Sequence, residues 1–275
     1  MAGAAGTRGP SVVVTRPAAQ AQAWVRALCE RGWQAWALPL IEIAPARDPV
    51  PLQDAWLRLA GVSTLPGWDA VMFVSAAAVI GFHEMKPSGL DWRAGSDAPA
   101  TFAWVTGPGT AAALRAQGWP EAALRQPPLQ GATFDSEALW TVVAPELSRI
   151  RRVLILRGAD ATGACTGRDW LAERLRAAGV SVDQRVAYER HPPQPADDAL
   201  NRARSAATDG SWWLFSSAEA VSNLCRLLPQ QDWSGACAVA THPRIADAAR
   251  RAGFGRVREA PPRLDDLIAS IESFA

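Results

Sequence analysis

The sequence predicts an α/β protein of two similar lobes, each a parallel sheet covered by helices on both faces. Three observations carry this expectation. Buried-type strands repeatedly break into amphipathic helices, the units recur in one order along the chain, and two proline-rich connectors divide it. At 275 residues, and with about 150 residues to a domain, the chain has room for two lobes.

The first unit opens with Val12-Val-Val-Thr-Arg16-Pro17, an apolar run halted at an arginine. A helical pattern through Trp24, Leu28 and Cys29 follows and stops at Arg31-Gly32, before an extended stretch from Trp33 to Pro45. The same grammar returns at Val153-Leu-Ile-Leu-Arg157-Gly158, with a helix through Leu171 and Leu175, a stop at Ala178-Gly179 and an extended stretch to Pro192. Each copy reads as strand, arginine loop, helix, glycine stop and strand.

The second unit is Asp69-Ala-Val-Met-Phe73-Val-Ser75-Ala, matched by Ser211-Trp-Trp-Leu-Phe215-Ser-Ser217-Ala. Both are buried-type strands that break at a serine where a helix N-cap belongs. The third unit, Phe102–Trp119, is matched by Cys237–Phe254, and both close on a glycine followed by an aromatic residue. Arg16 to Arg157, Ser75 to Ser217 and Thr106 to Thr241 are offsets of 141, 142 and 135 positions. Isolated β–α units resemble one another by chance; three ordered pairs at nearly one offset indicate a duplication.

Prolines cluster at Pro45, Pro49 and Pro51, and again at Pro192, Pro193 and Pro195. Such segments disfavour regular structure and act as semi-rigid connectors. Two connectors mean two crossings between lobes. Lobe 1 is then discontinuous, residues 1–38 plus 192–275. Lobe 2 is continuous, residues 46–185, and residues 39–45 and 186–191 are linker strands. A tandem cut near residue 140 is the alternative.

Composition narrows the function. Hydrophobic residues at 49% and charged residues at 20% exclude disorder. No apolar stretch approaches the roughly 18 residues that span a bilayer, and Met1–Pro10 lacks the apolar core of a signal peptide, so a cytoplasmic protein without membrane partners is expected. A net charge of +1 supplies no field to recruit nucleic acid. Lys86 is the sole lysine among 28 basic residues. A GC-rich genome explains that bias simply, although arginine's fork also suits carboxylates. The cysteines and histidines show no ligand or disulfide spacing, so no metal is expected.

Gly107-Pro-Gly109-Thr-Ala-Ala112 formally fits the dinucleotide-binding pattern, but no acidic residue follows at about 20 positions. What the loop offers is free N–H groups at a helix start, a general anion site. Thr15-Arg16, Ser75, Arg157-Gly158, Ser216-Ser217 and Thr241, with Arg244 close behind, sit between strand ends and helix starts. Each alone reads most simply as a cap or loop hydrogen bond. Together with Gly107 and Gly109 they line two facing rims for a ligand rich in carboxylates or phosphates. Tyr188, the only tyrosine, lies in the second connector; it is either a strand residue with a wet hydroxyl or a phenol that protonates a leaving hydroxyl.

These motifs resemble those of the uroporphyrinogen-III synthase family, from about Val12 to Ser273. The resemblance is carried by Val14-Thr-Arg-Pro17, Leu38-Pro-Leu-Ile-Glu-Ile43, Phe73-Val-Ser-Ala76, Gly107-Pro-Gly-Thr-Ala111, Leu154-Ile-Leu-Arg-Gly158, Val186-Ala-Tyr-Glu-Arg190, Phe215-Ser-Ser217 and Thr241-His-Pro-Arg-Ile245. It implies two flavodoxin-like lobes joined by a two-stranded ladder around a cleft. It also implies a monomer that needs no cofactor and serves haem or sirohaem biosynthesis. The implied reaction cyclises hydroxymethylbilane, a linear tetrapyrrole bearing eight carboxylates, with loss of water and inversion of the terminal pyrrole ring. Tyr188 matches a family tyrosine that assists loss of the hydroxyl, Thr110 matches a cleft threonine, and Ser75 and Ser217 match cleft-lining serines. The insertion Ala159–Gly167 lengthens one rim relative to the first copy. A non-catalytic two-lobed module for a polyanionic ligand, or a transferase with a nucleotide donor, would share the fold.

Overall fold

Runs of β-branched and aromatic residues favour the extended backbone and stop where serine, proline or glycine begins the next turn. In the computed structural model, which describes residues 11–90, 101–128, 134–165 and 169–273, such runs form β1 (Val12–Val14), β2 (Ala35–Ala37), β3 (Glu42–Pro45), β4 (Ala70–Phe73), β5 (Phe102–Val105) and β6 (Leu124–Arg125). They continue with β7 (Arg152–Ala159), β8 (Ser181–His191), β9 (Trp212–Phe215), β10 (Cys237–Ala240) and β11 (Arg256–Glu259). Between them lie α1 (Ala18–Glu30), α2 (Val50–Leu59), α3 (Ala76–Glu84), α4 (Pro108–Ala116) and α5 (Ser136–Val143). The second half adds α6 (Trp170–Ala177), α7 (Asp197–Ala206), α8 (Ala218–Leu227), α9 (Pro243–Arg251) and α10 (Leu264–Glu272).

The chain divides into two compact units, residues 1–42 with 191–275, and residues 43–190. The sheet of the first runs β2-β1-β9-β10-β11, with parallel pairing throughout. Numbered within the unit this is the 2-1-3-4-5 order of flavodoxin-like sheets. The sheet of the second runs β3-β8-β7-β4-β5-β6, and β8 through β6 pair in parallel. Taking β7 as its first strand restores the same order, with β3 added outside β8. The two copies of the repeat are thus exchanged: β1 and β2 of the first copy share a sheet with β9 to β11 of the second.

The linker strands expected at residues 39–45 and 186–191 include β3 and the end of β8. Leu38, Leu40 and Ile41 are buried in the first unit, where Asn223 Nδ2 donates to the Leu40 carbonyl at 2.7 Å. Residues 42–45 then form an edge strand beside β8, itself continuous from Ser181 to His191. A second difference concerns Arg157 and Gly158. They lie within β7, which runs on to Ala159, because pairing with β8 continues past a register shift between these two residues.

Each sheet buries both faces. In the second unit Val71, Phe73, Leu154, Leu156 and Tyr188 pack beneath α2, α3 and α4, and Met72, Trp104, Val153 and Ile155 pack against α5 and α6. In the first, Val12, Val14, Leu214 and Val239 face α1 and α10. Its other face carries stacked and edge-on contacts among Trp213, Phe215, Trp233 and Phe254. Most of the tryptophans are accounted for as core.

His83 is locked inside the second unit. Its Nδ1–H donates to the Val79 carbonyl at 2.7 Å, and its Nε2 accepts from Trp119 Nε1 at 3.1 Å. Burial pushes the imidazole below the usual histidine range, and Lys86 adds to this. The unfolded chain therefore takes up this proton first as pH falls. Stability should drop as pH falls from about 7.5 to about 5.5, through the unfolded-state histidine range. Urea midpoints at the two pH values check this: His83→Gln should lose that part of the pH dependence, and an unchanged slope would contradict the assignment.

Candidate active site

Parallel strands bring the carboxyl ends of all strands, and the N-termini of the helices that follow them, to one edge of each sheet. The order reverses between β1 and β9 in the first unit, and between β7 and β4 in the second. Ligands of open α/β sheets bind outside such reversal points. Thr15, Arg16, Ser216 and Ser217 follow β1 and β9; Ser75 follows β4, and Gly158 lies near the end of β7.

In the second unit Ser75 is the N-cap of α3 and accepts from the Ala78 N–H at 3.2 Å. Its Oγ also donates to the Tyr188 hydroxyl at 3.1 Å. That direction leaves the phenol's own proton for another acceptor. Tyr188 is only 5% exposed, so the connector residue of the sequence reading is a core residue of β8 that ends in a polar tip. Gly107 caps α4 with extended backbone and no side-chain bond, and Pro108 opens the helix. A Cβ at Gly109 would meet nothing within 4 Å, and its N–H, in the first turn of α4, is one that the helix itself cannot satisfy. Thr110, one residue on, is buried.

Arg157 departs from the expected rim. Its guanidinium is buried and donates to Asp169 and to Gln184, the latter at 2.6 Å. It packs beside Met72, Ile155 and Leu171, on the face of the sheet opposite Tyr188. The Arg157 bond holds the Asp169 carboxyl below the usual carboxylate range. Alternation along β7 explains the placement, since neighbouring residues of a strand face opposite sides.

In the first unit the Thr15 hydroxyl is spent on structure, donating to the Leu214 carbonyl of β9 at 2.6 Å. Arg16 is half-buried over the Trp24 ring, 3.9 Å from its centroid, and donates to Gln20 at 3.2 Å. Among the described residues no carboxylate pairs with it. Burial pushes its guanidinium down to about 10, so it stays cationic at neutral pH. Ser217 caps α8 through the Glu219 N–H at 3.1 Å, with Ser216 half-exposed beside it. The cap of α9 is His242, whose Nδ1 accepts from the Arg244 N–H at 3.2 Å. Thr241 precedes it. Sequence reading passed over His242, although proline at a first helical position marks the residue before it as the cap.

The helix ends share an electrostatic pattern. Acidic side chains normally gather at helix N-termini, where they meet the positive end of the dipole. The first turns of α1, α2, α3, α4 and α9 carry none, whereas those of α5, α6, α7, α8 and α10 do. Arg244 adds a cation in the first turn of α9, a placement that disfavours the free helix and suits an anion bound there.

This architecture is that of the doubly wound α/β proteins, which take small ligands at strand ends. A family model described as uroporphyrinogen-III synthase HemD matches residues 22–269. The uroporphyrinogen-III synthase of Salmonella typhimurium is 32% identical over 94% of this chain and 98% of its own length. That of Synechococcus elongatus is 28% identical, covering 97% of this chain and 96% of its own. Among solved structures, the Helicobacter pylori uroporphyrinogen-III synthetase superposes with a TM-score of 0.57 at 16% identity, covering 97% of this chain and all 100% of that one. A mutant Thermus thermophilus uroporphyrinogen III synthase gives 0.55 at 19%, over 96% and 98% of the two chains. The chain belongs to the uroporphyrinogen-III synthase family.

Two substitutions separate scaffold from site. Ser75→Ala removes a helix cap and should cost about 1 kcal/mol in urea unfolding. Arg16→Met removes a desolvated cation without a carboxylate partner. It should leave stability unchanged or raised while weakening binding of a polycarboxylate by about tenfold. A destabilised Arg16→Met protein with unimpaired binding would make Arg16 a scaffold residue.

Proposed function

We propose that this chain converts hydroxymethylbilane to uroporphyrinogen III, closing the macrocycle with inversion of the terminal pyrrole ring and loss of water. The observation that carries this reading is the family match over nearly the whole chain. The Tyr188 seat and the acid-free helix ends support it.

The chemistry asks little covalent work of the protein. The C–O bond of the hydroxymethyl group breaks as the pyrrole nitrogen's electrons push in, and the Tyr188 hydroxyl supplies the proton with which the hydroxyl departs as water. The azafulvenium cation is attacked by the substituted α-carbon of the terminal ring, giving a spiro intermediate. That intermediate fragments and recloses through the ring's other α-carbon. Loss of the proton from that carbon restores the aromatic pyrrole and balances the proton taken from the phenol. Selecting the substituted carbon over the free one is a matter of orientation, the effect that a bound geometry supplies best.

Binding falls to donors aimed at carboxylates: the open first turns of α1 and α4, the capped turns of α3, α8 and α9, and the guanidinium groups of Arg16 and Arg244. Gly107, Gly109, Thr110, Ser216, Ser217 and Thr241 shape these turns. Gly158 acts through Tyr188, and Arg157 and Thr15 serve as scaffold. No helix among the described residues is long and apolar enough to cross a membrane, and the enzyme is taken to work as a monomer in the cytoplasm.

Hydroxymethylbilane generated in situ closes spontaneously to isomer I, which provides the control. With this protein added, chromatography of the oxidised products should show isomer III predominating, and Tyr188→Phe should lower turnover by about a hundredfold. Isomer I alone, from folded protein, would leave a polyanion-binding module without turnover.

A further inference from the structure

We infer that Gly158 is a positioning residue, whose missing side chain forms the notch that seats the phenol of Tyr188. The inference rests on the reading of Tyr188 as the group that protonates the leaving hydroxyl. A Cβ built on Gly158 would lie 2.6 Å from Cζ, 2.8 Å from Cε2 and 2.9 Å from the hydroxyl oxygen of Tyr188. All three nearest atoms belong to one ring, at its reactive end. The backbone at Gly158 is not in the left-handed region, so alanine fits the local conformation, and its nearest conflicts are all with Tyr188.

The β7–β8 ladder shows how the notch is aimed. Arg157 is registered with Val186, and the next pair is Gly158 with Tyr188, so the register slips by one residue between them. Without the slip Gly158 would oppose Ala187, and Tyr188 would sit against Ala159. Irregularities of this kind re-aim a side chain beside an active site. On the other side, a Cβ at Gly81 of α3 would lie 2.1 Å from the Ala187 carbonyl oxygen and 3.6 Å from Tyr188 Cβ. Helix α3 therefore packs against the strand at the base of the Tyr188 side chain, Gly158 lies against its far end, and Ser75 meets the hydroxyl at 3.1 Å. Gly81 contacts backbone, so its replacement would disturb the packing itself. Gly158 contacts the far end of a side chain, so its replacement moves the hydroxyl.

A rival account is purely structural: an aromatic ring covering a glycine on the neighbouring strand stabilises a sheet without serving chemistry. The presence of one tyrosine in the chain makes the two separable, because a sample labelled with 13C at tyrosine Cζ gives a single NMR resonance. Gly158→Ala should shift that resonance and lower kcat by at least about tenfold with KM changed less than about twofold. In a Tyr188→Leu background, with the ring gone, Gly158→Ala should change kcat by less than about twofold. An unmoved resonance in Gly158→Ala, or an equal loss of kcat in both backgrounds, overturns the inference. A moved resonance with full turnover in both Gly158→Ala and Tyr188→Phe instead removes Tyr188 from the chemistry, and the reading beneath the inference fails with it. Should Gly158→Ala not fold, the double variant with Tyr188→Leu must fold, since the added methyl then meets no ring; its failure also overturns the inference.

Discussion

A parallel strand pair cannot be closed by a hairpin; the chain has to cross back over the sheet before it can pair again. That constraint orders much of this molecule. It interposes a helix after β1, β4, β5, β7, β9 and β10 and directs each helix N-terminus to the edge where the strand ends. The dipoles of α1, α3, α4, α6, α8 and α9 thus add along one rim in each unit. Withholding acidic residues from four of those six first turns, α6 and α8 being the exceptions, leaves the partial charges uncompensated in the free protein. The cost in helix stability is small per end, a few tenths to about 1 kcal/mol. It leaves the N–H groups available to the polycarboxylate ligand proposed above.

The exchange of strands between repeat copies extends the same logic. β1 pairs with β9 far along the chain, and the Thr15 hydroxyl reaches a carbonyl 199 residues away. The first unit is not complete until the C-terminal third has been made, whereas the second, residues 43–190, is one continuous stretch. Long-range pairing of this kind raises contact order and slows folding. The arrangement also explains why the chain crosses between units twice, and why Asn223 clamps the residues just before one crossing.

Local signals were legible in the sequence and non-local ones were not. The serines at 75 and 217 read as caps because a cap depends on residues two or three positions on. The ordered repeats revealed two parallel sheets because each strand–helix unit carries its own hydrophobic period. Arg157 read as a rim residue because nothing in Leu-Arg-Gly-Ala signals that the strand runs on to Ala159. Tyr188 read as a connector residue because its neighbours, Gly158 and Ser75, reach it through strand register and helix packing 30 and 113 positions distant. Arg16 kept its place near a rim, but its stacking on Trp24 and its lack of a carboxylate partner belong to the fold alone.

The central claim is that backbone N–H groups at the rims hold the substrate's carboxylates, with side chains in support. The most direct measurement is the backbone amide NMR spectrum of 15N-labelled protein, titrated with uroporphyrin III, a stable oxidised relative of the product. The account predicts the largest shifts at uncapped first-turn amides such as Ala19, Ala77 and Gly109, with those at the opposite sheet edges, near Arg152 and Arg256, unmoved. Shifts confined to the opposite edges, or to arginine side chains with the rim amides unchanged, would contradict it.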